Sequence, residues 1–181
     1  MISLTHIQSP DNPLLEQVLP IYNEAFPPAE RREEQQLKQV VSSIDNLYFN
    51  AIIFDGKPAG LFSYWDMGDF YFLEYFAVSA GMRNHKIGQQ VLDWIADNLH
   101  GLRIMEVEPA DTGELAARRI AYYQRNGYKV LDKSYHQPSF SAGYKGLPMW
   151  IMANHDTPKL SEYIGRIIAE VYTKPLPAVQ K

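Results

Sequence analysis

Leu73-Glu74-Tyr75-Phe76-Ala77-Val78-Ser79-Ala80-Gly81-Met82-Arg83-Asn84-His85-Lys86-Ile87-Gly88 is the stretch whose reading decides the fold. It begins as an apolar strand that ends at Val78. A short polar turn follows and carries Arg83, Asn84, His85 and Lys86. Gly88 then opens a segment in which Ile87, Val91, Ile95 and Leu99 recur on one helical face. A strand, a basic turn and a helix start in that order form an anion site. The first N–H groups of a helix have no intrahelical acceptor, and the helix dipole places positive charge beside them. The turn therefore reads as a cradle for a pyrophosphate.

Arg83, two residues, Lys86, one residue and Gly88 give a spacing that resembles the Arg/Gln-x-x-Gly-x-Gly/Ala signature of the GNAT N-acetyltransferase superfamily, which binds acetyl-coenzyme A. Phe76-Ala77-Val78 fits that family's acyl-CoA strand. Lys86 stands where the family usually has its first glycine, so it trades backbone freedom for a cation near the phosphates. A second stretch, Ala117 to Tyr128, resembles the family's later helix, which ends in Tyr-Glu-Lys-x-Gly-Phe. Here the ending is Tyr123-Gln124-Arg125-Asn126-Gly127-Tyr128. Asp111 with Glu114 three residues on reads as a capping box at the start of that helix, and Gly127 suits the left-handed position past its end. The resemblance covers roughly residues 46–152. It implies an α/β fold with a central mixed sheet, helices on both faces and an extra C-terminal helix. Residues 1–155 are expected to form the GNAT-like domain, with 156–181 a helix and tail packed on it.

The rest of the chain sets bounds. At 181 residues, 46% hydrophobic and 21% charged, it fits one globular domain with a sizeable core. A formal charge of −4 argues against general nucleic-acid binding, which needs a basic footprint. The absence of cysteine excludes disulfides, thiolate metal ligation and a cysteine nucleophile. No apolar run reaches the length of a membrane span, and Met1 to His6 do not read as a signal peptide, so the expected location is the cytoplasm. No repeat and no low-complexity tract is found.

Hydrophobic spacing predicts a helix over residues 14–25, kinked or split at Pro20, and an amphipathic helix over 29–44 with Leu37, Val40, Val41 and Ile44 on one face. Residues 48–54 and 60–65 flank the turn Asp55-Gly56-Lys57-Pro58 and read as a hairpin. Strands are expected over 70–78 and 102–107, and near 129–131 and 149–152. Pro158 is placed to start a last helix, whose Leu160, Ile164, Ile167, Ile168 and Val171 form one stripe that serves either the core or a homodimer interface. Lys174 to Pro177 read as an extended tail.

Amine acetylation needs a held donor, a polarised thioester carbonyl, a base for the amine and an acid for the leaving sulfur. The resemblance implies that backbone groups of Phe76 and Val78 pair with the pantetheine arm, that the Phe76 N–H polarises the carbonyl, and that Arg83, Asn84, His85, Lys86, Ile87 and Gly88 take the pyrophosphate. It assigns Tyr123 as the acid, its neighbour Tyr122 pointing about 100° away on the helix. Glu74 is the expected base, because it shares strand parity with Phe76 and sits among aromatics that desolvate it. Glu106 and Glu108, on alternate positions of the next strand, are the other candidates, one of them acting through a water. The five histidines have no ligand spacing, so no metal is expected. Glu30-Arg31-Arg32-Glu33-Glu34 reads as a solvated helix face, although the segment after Phe26-Pro27 lies where the superfamily often builds its acceptor pocket. Tyr135, Phe140, Tyr144 and Trp150, with Gln137-Pro138 between, either line that pocket or belong to the core. The expected function is acetyl transfer from acetyl-CoA to a small-molecule or protein amine by direct attack, without an enzyme-bound intermediate. A non-catalytic acyl-CoA-binding sensor is the alternative. A nucleotide-binding P-loop is absent.

Overall fold

The computed structural model describes residues 1–176; Pro177, the end of the expected tail, lies outside the described residues. Seven strands form one mixed sheet in the order β1-β2-β3-β4-β5-β9-β6. They are β1 (Ile2–His6), β2 (Leu47–Phe54), β3 (Lys57–Asp66), β4 (Phe70–Val78), β5 (Leu102–Val107), β6 (Lys129–Asp132) and β9 (Trp150–Ala153). Two short strands, β7 (His136–Gln137) and β8 (Leu147–Pro148), make a separate ribbon. Every neighbouring pair in the main sheet is antiparallel except β4 and β5, which run parallel and are joined through a helix. A parallel pair needs such a crossover.

The helices cover both faces of the sheet, each burying an apolar stripe. On one face lie α1 (Pro13–Ala25), α2 (Glu34–Ser43) and α5 (Leu160–Ile167), which continues as a π-helical turn over Ile168–Thr173. Their Leu15, Val18, Leu37, Val40, Tyr163 and Ile167 share one core with Phe49, Phe70 and Phe72 of the sheet. On the other face α3 (Ile87–Asn98) and α4 (Glu114–Arg125) bury Val91, Ile95 and Ile120 against Phe62, Leu73 and Met105. The stripe on the last helix thus faces the core: Ile167 and Val171 are buried, and Leu160, Ile164 and Ile168 pack against them.

Locally the fold departs from the sequence pattern at several points. β1 was not expected; it pairs with β2 along its whole length. Helix α1 runs unsplit through Pro20. That proline costs one ladder bond, and the buried neighbours Leu19 and Tyr22 hold the helix against the sheet. Helix α2 begins at Glu34 rather than at residue 29, with a capping box between Glu33 and Gln36. The Glu30–Glu34 run is therefore mostly loop, and Arg32 is only 2% exposed. Asp111 does not cap α4: it sits in a 3-10 turn over Ala110–Thr112, and Gly113 holds the N-cap position. Gly127 does take the left-handed conformation, at φ 86°.

Candidate active site

The site starts from a break in strand pairing. β4 and β5 pair only from Phe70–Leu102 to Leu73–Met105, so beyond that point the two strands part. The cause lies on the other edge of β4. Ser63 of β3 pairs with Tyr75, but Tyr64 pairs with Leu73, so Glu74 is an extra residue without a partner. A bulge of this kind bends and twists its strand. The N–H of Tyr75 points toward β3, to Ser63 Oγ at 3.2 Å, and so does that of Ser79, to the Ala59 carbonyl at 2.8 Å. By strand alternation, the backbone groups of Phe76 and Val78 face the opposite edge, where β5 has moved away.

The bulge also reverses the parity expected of Glu74. Leu73, Phe76 and Val78 face the α3–α4 core, whereas Glu74 turns to the opposite side. There it is ion-paired with Arg32 and accepts a hydrogen bond from Trp65 Nε1 at 2.8 Å. Both members of that ion pair are buried, each side chain 3% exposed. The Arg32 guanidinium also donates to the Val171 carbonyl at 3.1 Å and stacks over Phe140, 4.1 Å from the ring centre. This side chain ties the bulge to the C-terminal helix.

Two cavities open from the gap between the strands. The larger, about 630 Å³, lies over the turn and the start of α3 and is lined by Phe76, Val78, Arg83, Asn84, Lys86, Ile87 and Gly88, together with Arg119, Tyr122 and Tyr123. The N–H groups of Ile87, Gly88 and Gln89 find no acceptor among the described residues, as the first turn of a helix dictates. Lys86 is the N-cap of α3 and takes the left-handed conformation, φ 55°, and Asn84 does the same at φ 73°. The lysine has thus kept the backbone shape that a glycine adopts freely. A Cβ on Gly88 would sit 3.2 Å from the Tyr122 hydroxyl, so α3 and α4 approach closely there. His85 lines neither cavity; its ring tilts onto Phe54. Ala77 lines only the smaller cavity.

The smaller cavity, about 380 Å³, is walled by Phe26, Glu30, Glu74, Glu106, Glu108 and Gln137 among others. Phe76, Val78, Arg83, Arg119 and Tyr123 belong to both walls. Tyr123 therefore stands at the junction. Its ring packs against Tyr122 and Tyr128, and its hydroxyl has no hydrogen-bond partner among the described residues. Burial raises its pKa to about 12, so the phenol keeps its proton throughout the neutral range.

Glu106, placed on β5 just past the last pairing with β4, accepts hydrogen bonds from Tyr135 (2.5 Å) and Tyr172 (2.6 Å). Burial lifts its pKa to about 7, and the two phenol donors hold it from rising further. Tyr135 is fixed by the β7–β8 ribbon, its carbonyl accepting from the Met149 N–H at 3.0 Å. Tyr172 reaches Glu106 from the π-helical turn. π-Helical turns recur at functional sites because the wider turn re-aims a side chain. Tyr135 and Phe140 belong to the core, Phe140 stacked on Tyr172; Trp150 is half-buried on the other face, and Tyr144 is exposed. The sequence pattern raised Glu106 only as an alternative, set Gln137 among the aromatics of the acceptor pocket, and missed the parts of Arg32 and Tyr172. Neither of those two lies in a motif; only the tertiary fold brings them to Glu74 and Glu106. Among the described residues, no group of three or more potential metal ligands is found. No helix among them is long and apolar enough to cross a membrane.

Comparison with known proteins gives a consistent picture. The model of the acetyltransferase (GNAT) family matches residues 15–128. A GNAT-family protein from Bacteroides thetaiotaomicron is 32% identical, with a TM-score of 0.85, and the match covers 96% of this chain and 99% of that one. The fold also resembles the ribosomal-protein-S18-alanine N-acetyltransferase from Escherichia coli (16% identity, TM-score 0.58, 88% and 99% covered). A GNAT acetyltransferase from Elizabethkingia anophelis with acetyl-CoA bound is similar in the same way (14% identity, TM-score 0.56, 84% and 96% covered). No curated protein matches the sequence.

Proposed function

The chain belongs to the GNAT acetyltransferase family, and from that premise we propose that it moves the acetyl group of acetyl-CoA onto the nitrogen of an amine by direct attack on the thioester. The observation that carries this reading is the position of Tyr123, with an unpartnered hydroxyl, where the two cavities meet. The larger cavity takes the coenzyme. The free N–H groups at the start of α3 and the cations Arg83, Lys86 and Arg119 suit a pyrophosphate, and the open edge of β4 at Phe76 and Val78 suits an extended amide arm. The smaller cavity takes the acceptor.

Glu106 replaces Glu74 as the base in this reading. A carboxylate that must gain a proton during turnover cannot also hold a buried guanidinium, because protonation would leave Arg32 charged and unpaired. Glu106 has neutral donors instead, and a pKa of about 7 makes it a proton acceptor matched to neutral pH. The amine nitrogen bonds to the thioester carbon as its proton passes to Glu106. The Phe76 N–H stabilises the carbonyl oxygen as charge collects there. The carbon–sulfur bond then breaks, and the Tyr123 hydroxyl donates to the departing sulfur. Desolvation raises the basicity of that sulfur in the same sense as it raises the phenol. No acyl-enzyme forms in this reading: the chain has no cysteine, and among the described residues no serine, threonine or histidine lines either cavity.

The test is release of free coenzyme A thiol from acetyl-CoA with a panel of amines. Amine-dependent release together with an acetylated amine in the products is the expected result. Acetyl-CoA binding without turnover on any amine would favour a sensor.

A further inference from the structure

We propose that the acceptor carries a second cationic nitrogen, seated between the Glu30 carboxylate and the side-chain oxygen of Gln137 while the reacting amine faces Glu106. This rests on the amine-transfer reading above and specifies its substrate class as a diamine or longer polyamine.

The smaller cavity holds five carboxylates: Glu24 at its exposed rim, then Glu30, Glu74, Glu106 and Glu108. Their partners separate them. Glu74 is matched by Arg32 and Trp65. Glu108 accepts from Thr112 Oγ1 at 2.8 Å and lies 3.7 Å from Arg119. Glu106 is held by two tyrosines. The half-buried Glu30 carboxylate has no hydrogen bond and no ion pair among the described residues, although the turn bond from its own N–H to the Pro27 carbonyl (2.9 Å) fixes its backbone. Burial and the neighbouring charge of Glu108 raise its pKa and the Arg119 guanidinium lowers it, with the net direction upward, so a bound cation would relieve the cost that Arg119 leaves.

Gln137 supplies the independent observation. It is 5% exposed and lines the same cavity. Its Nε2 donates to the Tyr172 hydroxyl at 3.1 Å and lies 3.5 Å from the Glu30 carbonyl, an acceptor only. Tyr172 has one proton and gives it to Glu106, so it accepts from Gln137. Those two contacts fix which way the amide points. Oε1 is left buried with no partner. A buried acceptor without a donor is uncommon and calls for a ligand group that donates. Glu30 and Gln137 both line this cavity, and their unmet groups, a carboxylate and an amide oxygen, accept hydrogen bonds and donate none. An ammonium satisfies both, and a carboxylate or phosphate placed there satisfies neither. The chain from the Glu30 carbonyl through Gln137 and Tyr172 to Glu106 also ties this second seat to the base.

The experiment compares kcat/KM for propane-1,3-diamine and butane-1,4-diamine with propylamine and butylamine, and adds 4-aminobutanoate, which puts a carboxylate where the second ammonium would be. The diamines should exceed the matched monoamines by about tenfold or more, the equivalent of one charge-assisted contact, and 4-aminobutanoate should fall below butylamine. Glu30→Gln and Gln137→Met should each cut the diamine preference at least severalfold, with the acetyl-CoA-induced rise in melting temperature reporting that each variant is folded. Monoamines turned over as well as diamines would overturn the inference and leave amine transfer standing. A diamine preference untouched by both substitutions would also overturn it. Failure of every amine would overturn both.

Discussion

Replacing Tyr172 by phenylalanine removes one hydroxyl and keeps the ring stacked on Phe140, 4.7 Å between centres. The hydroxyl donates to Glu106 Oε2 at 2.6 Å, and it stabilises the ionised carboxylate more than the neutral acid. A hydrogen bond to a charged group is worth about 1.5–3 kcal/mol, and about 1.4 kcal/mol corresponds to one pKa unit. Losing it should raise the Glu106 pKa by roughly one to two units, upward from about 7. A base acts only when ionised. The ascending limb of kcat/KM against pH should therefore lie near 7 in the parent and move to about 8–9 in the variant. At pH 7 the variant should be about fivefold to fiftyfold slower, and the deficit should close in alkali. The assay is thiol release across pH with acceptors of different basicity, because a limb that stays put as the acceptor changes belongs to the protein. A limb that does not move in Tyr172→Phe would refute Glu106 as the base.

Further outcomes follow from the same contacts. The folded pKa of Glu106 lies above that of an unfolded glutamate, so the native state binds more protons and loses stability as pH rises from about 4.5 to about 7. Glu106→Gln should abolish turnover yet raise stability at pH 8 by up to about 3 kcal/mol, with the gain shrinking toward pH 5, as denaturant titrations at the two pH values will read. Glu74→Gln should cost about 3–5 kcal/mol in the same titrations, because it strands the buried Arg32 charge. Lys86→Gly relieves a left-handed lysine but removes an exposed cation. Coenzyme A should bind about twofold to fivefold more weakly at low salt, with a flatter salt dependence, in a calorimetric titration across ionic strength.

Strands β2 to β5 and the helix after the basic turn are legible because each carries its own period and its own turn residues. So is the helix that carries Tyr123, which ends at Arg125 with Gly127 beyond it in the left-handed conformation. Glu74 shows where that legibility stops. Alternation along β4 puts it beside Phe76, but the bulge inserts one residue against β3 and turns it to the other face. A bulge of this kind depends on the pairing of two strands, and no pattern within β4 alone announces it. The Glu30–Glu34 run misled for a related reason. Its charge density matches a solvated helix, and only the tertiary fold shows that Arg32 is the buried counter-ion of Glu74. Gln137 and Tyr172 come from a short ribbon and a π-helical turn, neither with a strong local signature. β1 escaped notice because it pairs along an edge and is only half-buried.

In the proposed reaction Tyr123, at the junction of the two cavities, serves the leaving sulfur. The direct measurement is the turnover rate of Tyr123→Phe beside Tyr122→Phe, at saturating acetyl-CoA and acceptor. Both variants keep the ring, and coenzyme binding should change little in either. Tyr123→Phe should lower kcat by about 10²–10⁴, whereas Tyr122→Phe, whose hydroxyl lies against Gly88, should stay close to the parent. Full turnover in Tyr123→Phe would contradict that role, and a loss confined to Tyr122→Phe would transfer it to the neighbour.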